Sequence, residues 1–365
     1  MYPRKKRLIF WLIILVLLVP ALFLTRSILR PPSAPIHTVR VMESVRSPYF
    51  LPQYLALNLG FFKEQNLVVE ISTASPEAIR AALLDGRADI ALCGLQKIIF
   101  SPNVQTPQPK IFASFAKKDG SLLLSREDPS GFQWVKLKNK TIISGSQDDS
   151  SVIALEDVLR SHGLPPFRAV TIYYNIPSKL RMGAFRAGTG HYIQVLEPDA
   201  SIAERKGYGR VAASVGQAAG DMAVTAYAAM PDYINSKPEV IQQFTNAVYK
   251  AVLWLDQHSA EEAADAVLPS FPNLEREILV DSIERYRSLG IWTGDLRASR
   301  ESFERFQNAA IRAGEIARTL PYETIVINDF ADQAMATVTY DRLAEEEKAR
   351  KRNLFNLFNR LKFNR

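Results

Sequence analysis

From Tyr54 to Gly94 the chain runs YLALNLGFFKEQNLVVEISTASPEAIRAALLDGRADIALCG, and no other stretch constrains the fold as tightly. YLALNLGFF places apolar residues at helical spacing and stops at Gly60, a residue suited to the position just past a helix end. LVVEIS is rich in β-branched residues and predicts a strand. Pro76 is placed to open a helix, PEAIRAALLDG, which Gly86 ends. ADIALCG predicts a second, buried strand. Two strands joined through one helix form a βαβ unit, hence a parallel sheet with a right-handed crossover. Ligands of such sheets bind beyond the carboxyl ends of the strands, which makes Gly94 and Gln96 candidates for a site.

The same alternation continues. HTVRVMES (37–44) reads as a first strand, KIFASF (110–115) and SLLLSR (121–126) as two more, and WVKLKNKTIISG (134–145) as holding another. A helix follows over 151–161, then a strand at 170–175, a helix at 176–188 and strands at 191–198, 210–214 and 223–230. After Pro231 four segments show apolar residues at i, i+3 and i+4 spacing and predict helices. Strands and helices thus fall in two blocks, closed by a helical one. The expected division is lobe 1 over 37–120 and 225–335, with lobe 2 over 121–224 between them. SLLLSR and AVTAYAAM flank the second block as strands crossing between lobes. An α/β protein of two hinged lobes joined by two crossings has a cleft, and clefts are the default ligand site.

The ends differ from the middle. Arg4, Lys5, Lys6 and Arg7 precede 17 residues, Leu8–Leu24, without a charge. At the helical rise these span about 26 Å. Thr25 to Arg30 offers no small-residue cleavage pattern, so residues 1–30 are expected to stay as a transmembrane signal-anchor rather than be cut off. The basic flank places the rest of the chain outside the cytosol. Residues 31–36 form a Pro-rich linker. The tail, 336–365, has seven basic residues and no acidic one from Lys348 onward, and Leu354, Phe355, Leu357, Phe358 and Leu361 share a helical face. Three readings stand for it: a solvated end, contact with an anionic membrane, or a protein partner. Formal charge is +7; residues 1–7 hold +4 and residues 348–365 hold +7, which leaves −4 for the middle. The basic balance belongs to the termini and argues no nucleic-acid partner. The single cysteine, Cys93, excludes an intrachain disulfide and reads as a buried small hydrophobe.

Seven fragments in order resemble one family: ALNLGFFKEQNLVVEI (56–71), ALLDGRADIALCG (82–94), LKNKTIISG (137–145), AFRAGTGHYIQVLEPDASIAE (184–204), VAASVGQAAGDMAVTAYAAM (211–230), KPEVIQQFTNAVYKAVLWLDQHSAEEAADAV (237–267) and SIERYRSLGIWTG (282–294). The chain resembles the extracytoplasmic solute-binding proteins of ABC importers with the type II periplasmic-binding-protein fold. The subgroup is the one that takes sulfonates, nitrate, taurine or thiamine-pyrimidine precursors. The resemblance implies capture of a small organic or anionic solute between the lobes and delivery to a permease with its ATPase. It implies a monomer, no cofactor and no metal. A sensory module signalling to a membrane receptor is the alternative. The retained anchor and the basic tail depart from the family pattern; a tether would raise the local concentration at the permease.

Strand-end loops and helix N-termini supply the expected ligand contacts: Arg46, Ser47 and Tyr49 after the first strand, Gly94 and Gln96 after the third, and Ser150 and Ser151 at a helix start suited to an anion. Glu197 matches the family's Glu-Pro motif, and Thr225 and Tyr227 lie on the returning strand. Each has a plainer reading beside it. Ser150 can be a helix cap, and Asp148 and Asp149 oppose an anion there. Arg46 can be a surface charge, Tyr49 core packing, and Glu197 a tie between lobes. Catalysis finds no support in the sequence. His37, His162, His191 and His258 are scattered without metal-ligand spacing, and no nucleophile elbow, phosphate loop or dinucleotide fingerprint is present. Relatives that make a pyrimidine from their own histidine carry a cysteine-rich motif, which one cysteine excludes.

Overall fold

The computed structural model describes residues 35–96, 107–345 and 347. It separates Met1–Ile36 from a compact unit, His37–Arg365. The expected anchor and the basic part of the tail, 348–365, lie outside the described residues; among those described, no helix is long and apolar enough to cross a membrane.

The first lobe starts with β1 (His37–Glu43), a 3-10 turn (Pro48–Phe50), α1 (Leu51–Asn58), α2 (Phe61–Glu64), β2 (Leu67–Thr73), α3 (Pro76–Leu84), β3 (Ile90–Gly94) and β4 (Lys110–Ala113). Local chemistry explains these boundaries. Ser75 caps α3 by accepting from the Ala78 N–H, and Pro76, which has no N–H to leave unpaired, takes the first turn. In β1 Val39, Val41 and Glu43 point inward, one every second residue. β1 pairs in parallel with β2, His37 beside Leu67 through Glu43 beside Thr73, and in parallel with β3. The βαβ expectation therefore holds over its whole length.

The second lobe comprises β5 (Leu122–Ser125), a 3-10 turn (Trp134–Leu137), β6 (Thr141–Ile143), α4 (Ser150–Ser161), β7 (Thr171–Tyr173), α5 (Ser178–Arg186), β8 (Tyr192–Val195), α6 (Asp199–Arg205), β9 (Arg210–Ser214) and α7 (Val215–Ala219). The chain then returns to the first lobe as β10 (Thr225–Ala229). The two sheets share one plan: β2-β1-β3-β10-β4 in one lobe and β7-β6-β8-β5-β9 in the other. In each sheet the strand that follows a crossing runs antiparallel to both neighbours, β10 between β3 and β4, and β5 between β8 and β9. Both are buried at every residue, as a fourth-position central strand requires.

The tail of the fold is helical: α8 (Pro231–Ser236), α9 (Pro238–Gln257), α10 (Ala260–Val267), α11 (Arg276–Ser288), α12 (Arg300–Ala313), α13 (Tyr322–Ile325) and α14 (Asp329–Thr337). The four helical patterns correspond to α9 through α12. Two of these helices touch both lobes. α11 packs on the 3-10 turn of the first lobe and on α6 of the second. α12 packs on α4, and its Phe303 and Phe306 join a core that mixes Ala91 and Cys93 of β3 with Leu123 and Ile142 of the second lobe. Cys93 is fully buried there, and burial pushes its thiol well up, which leaves it inert.

Candidate interlobe solute site

The lobes meet where the first sheet presents the end of β3 to the start of α4. A Cβ on Gly94 would sit 2.6 Å from Ser150 Oγ, so only glycine permits this approach. The Gln96 N–H donates to Ser150 Oγ at 3.2 Å, and the Leu95 N–H to the Val224 carbonyl at 3.0 Å. Gly94, Gln96 and Ser150 are thus brought together as expected from strand-end logic. Thr225 pairs with Gly94 across β10 and β3.

Ser151 lies in the same first turn, but that turn is not an open anion site. Asp149 is the N-cap and its Oδ1 accepts from the Ser151 N–H at 2.9 Å. A carboxylate already occupies the place where the helix terminus would favour a solute anion. The Ser151 carbonyl accepts from Gln194 Nε2 at 2.9 Å, and the same nitrogen donates to Ser121 Oγ at 2.7 Å.

Glu197 spends its carboxylate between the lobes. Oε2 accepts from the Ser201 N–H at 3.0 Å and from Ser282 Oγ at 3.2 Å, while Oε1 takes Arg285 Nη1 at 2.5 Å. Its N–H donates to the Tyr286 hydroxyl at 2.8 Å, and its carbonyl accepts from Ser47 Oγ at 2.5 Å. Arg285 Nη2 also reaches Glu204. Burial raises the Glu197 carboxyl above its ordinary value, and Arg285 opposes that rise. The plainer reading of Glu197, a tie from lobe 2 to α11, is the arrangement found.

Three expected contacts sit elsewhere. Tyr227 faces the first lobe's core, 5.1 Å ring to ring from Phe244 and 5.5 Å from Phe115, with its hydroxyl on Gln53. Alternate residues of a central strand face one core or the other, and position 227 falls on the apolar side. Arg46 is spent on Glu43 at 3.2 Å. That glutamate is fully buried and also accepts from Gln53, Tyr54 and Thr73, which gathers the ends of β1 and β2. Tyr49 is buried; its hydroxyl donates to the Lys118 carbonyl at 3.0 Å, and its ring meets Tyr286 edge-on. It packs the first crossing rather than opening to solvent.

Asp119 is not among the contacts expected from the sequence. It sits on the first crossing, fully buried, because the backbone of α7 presses on it: a Cβ at Gly216 would meet the Asp119 carbonyl at 2.0 Å. Asp119 Oδ1 accepts from the Ser121 N–H at 2.9 Å and from the Ser121 hydroxyl. Burial pushes its carboxyl up to about 6, against the pull of Ser121 and Ser151. Its place in the segment that joins β4 to β5, and so the two lobes, was the available signal. Among the described residues no group of three or more His, Cys, Asp or Glu is arranged to hold a metal.

The sequence profile described as NMT1/THI5 like matches residues 47–262. A protein of Bacillus subtilis (strain 168) named as a binding protein, YtlA, is 32% identical over 297 residues, which cover 81% of this chain and 89% of that protein. A ligand-binding component of an ABC-type import system from Staphylococcus aureus, solved with zinc bound, superposes with a TM-score of 0.66 at 14% identity, covering 82% of this chain and 99% of that one. The periplasmic aliphatic sulphonate-binding protein of Escherichia coli gives a TM-score of 0.63 at 17% identity, covering 80% and 97%. At such identities the structural likeness speaks for the fold, and the two-lobed plan agrees with it.

Proposed function

From membership of the NMT1/THI5-like family, to which this chain belongs, we infer that it is a solute-binding protein of an ABC importer. It captures a small solute between its lobes on the outer side of the cell membrane and hands it to a permease. The observation that carries this reading is the pair of sheets of identical plan that meet through Gly94, Ser150 and the Glu197–Arg285 tie. Such a seam is built from contacts that can part and re-form, so a solute between the lobes shifts the population toward the closed form. Binding and release are the whole task, with no bond made or broken. The names of the relatives support import: a binding protein, an import component and a sulphonate binder. Leu8–Leu24, retained as an anchor, would hold a monomer close to its permease.

The test is direct. The purified chain is incubated with a small-molecule extract of its own cells, washed by ultrafiltration and unfolded, and the released compounds are identified by mass spectrometry. One compound in one-to-one amount supports the reading. An empty filtrate, or a compound returned chemically changed, defeats it.

A further inference from the structure

The chain enters and leaves its folded unit at one place. At the entry the His37 N–H donates to the Asn66 carbonyl at 3.0 Å, and Asn66 stands two residues beyond Glu64, the end of α2. At the exit Glu345 Oε1 accepts from Lys250 Nζ at 3.2 Å, and the same nitrogen donates to Glu64 Oε2 at 2.7 Å. One lysine of α9 therefore joins the two points. Its side chain is 13% exposed, so this link is better shielded from water and salt than an ordinary surface pair. The residues before the exit are held as well. The Tyr340 carbonyl accepts from Gln257 Nε2 at 3.3 Å, and the Tyr340 ring lies 5.8 Å from His258, which is stacked on Trp254. Arg342 donates to the Gln257 carbonyl at 2.9 Å and to Glu262 Oε1 at 2.8 Å. The path of the chain is thus set up to Glu345. Among the described residues, the two most exposed large apolar side chains flank these points, Ile36 at 72% and Leu343 at 77%.

Beyond the exit, from Lys348, come seven basic residues and no acidic one, with five apolar residues on one helical face. Before the entry, residues 25–36 separate the uncharged run Leu8–Leu24 from His37. We infer that residues 348–365 lie on the anionic lipid surface of the membrane that holds Leu8–Leu24, so that one bilayer takes both ends of the chain. A membrane near the entry is near the exit too, because Lys250 ties the two. There each cation gains roughly a factor of five in partitioning from anionic headgroups, and the apolar face sinks into the headgroup boundary. The protein's own surface around the exit offers less. Glu64 and Glu345 are already matched by Lys250, and Glu262 by Arg342. A second attachment also fixes which end of the first lobe faces the membrane, which one linker alone does not. The inference adds to the solute-binding reading and holds whatever the solute.

The experiment places a fluorophore on the tail and varies the lipid. Leu357→Cys, on the apolar face, is labelled with an environment-sensitive NBD dye in the full chain; the native Cys93 is buried and does not label. The protein is reconstituted into vesicles of phosphatidylcholine alone or with about 30% phosphatidylglycerol. The inference expects a blue-shifted emission, shielded from aqueous iodide, in the anionic vesicles only. That shielding should fade at about 0.5 M salt, where headgroup attraction is screened. A label at Asn356→Cys, on the opposite side of the helical face, should stay open to iodide. Lys348→Gln, Arg350→Gln, Lys351→Gln and Arg352→Gln together should lower the partitioning about 500-fold and return the Leu357→Cys label to its value in neutral vesicles. Shielding that is equal in both kinds of vesicle, or already present in detergent without lipid, assigns the tail to the protein's own surface and overturns the inference. A label open to iodide in both kinds of vesicle leaves the tail a solvated end or a ligand for another protein, and overturns it as well. Neither result touches the solute-binding reading.

Discussion

Arg285→Leu is the perturbation that tests the seam most sharply. The arginine is 22% exposed at its side chain and its partner Glu197 is fully buried. Removing one member of a buried ion pair costs about 3–5 kcal/mol, since the remaining charge is left without compensation. Water reaches part of the guanidinium, which reduces the loss below that range, to about 2–3 kcal/mol; the second partner, Glu204, is partly exposed and adds little. For a folded unit of about 300 residues this lowers Tm by roughly 3–5 °C, from the usual unfolding entropy per residue. The loss depends on pH. Burial already raises the Glu197 carboxyl, and without Arg285 it rises further. A carboxyl raised in the folded state favours folding below its unfolded value and loses that contribution as pH rises through its folded value. The variant should therefore match the wild type near pH 4 and fall behind toward pH 7. Glu197→Gln in the same background should recover most of the loss. Calorimetry over pH 4–8 reads all three. An Arg285→Leu protein with wild-type Tm at pH 7, or a deficit that does not shrink in acid, would refute the argument.

Gly94→Ala sets a Cβ 2.6 Å from Ser150 Oγ and should cost about 1–3 kcal/mol in urea unfolding, with partial recovery when Ser150→Ala removes the hydroxyl. Asp149→Ala strips the cap from α4 and should cost about 1 kcal/mol by the same measurement; no loss would mean that the cap contributes nothing. The Asp119 carboxyl, held at about 6 by burial, opposes folding increasingly as pH rises from about 4 to about 6, by at most about 3 kcal/mol. The wild type should therefore lose ground to Asp119→Asn across that window, and parallel stability curves would contradict it.

What the sequence made legible is local or periodic. LVVEIS, PEAIRAALLDG and ADIALCG state their structure within a few residues, and β2, α3 and β3 follow them. SLLLSR and AVTAYAAM, expected to cross between the lobes, instead each pair within one sheet as β5 and β10. WVKLKNKTIISG was expected to hold a strand, and it does at Thr141–Ile143, after a 3-10 turn at Trp134–Leu137. The seam was half legible. Gly94, Gln96 and Ser150 stand at element ends, where the fold brings termini together. Gln194 and Arg285 act through partners far along the chain, Gln194 with Ser121, 73 residues away, and Arg285 with Glu197, 88 residues away. No spacing pattern encodes such a pair. Tyr227 illustrates the converse, since a strand's alternation tells two faces apart but not which of two cores each one meets.

The central claim is that the lobes close on a solute. Spin labels on cysteines placed at exposed Val68 in the first lobe and exposed Phe167 in the second would report it, because the native Cys93 is buried and does not label. The account predicts a broad distance distribution in the empty protein that becomes shorter and narrow when the recovered solute is added. A distribution that the solute leaves unchanged would contradict it.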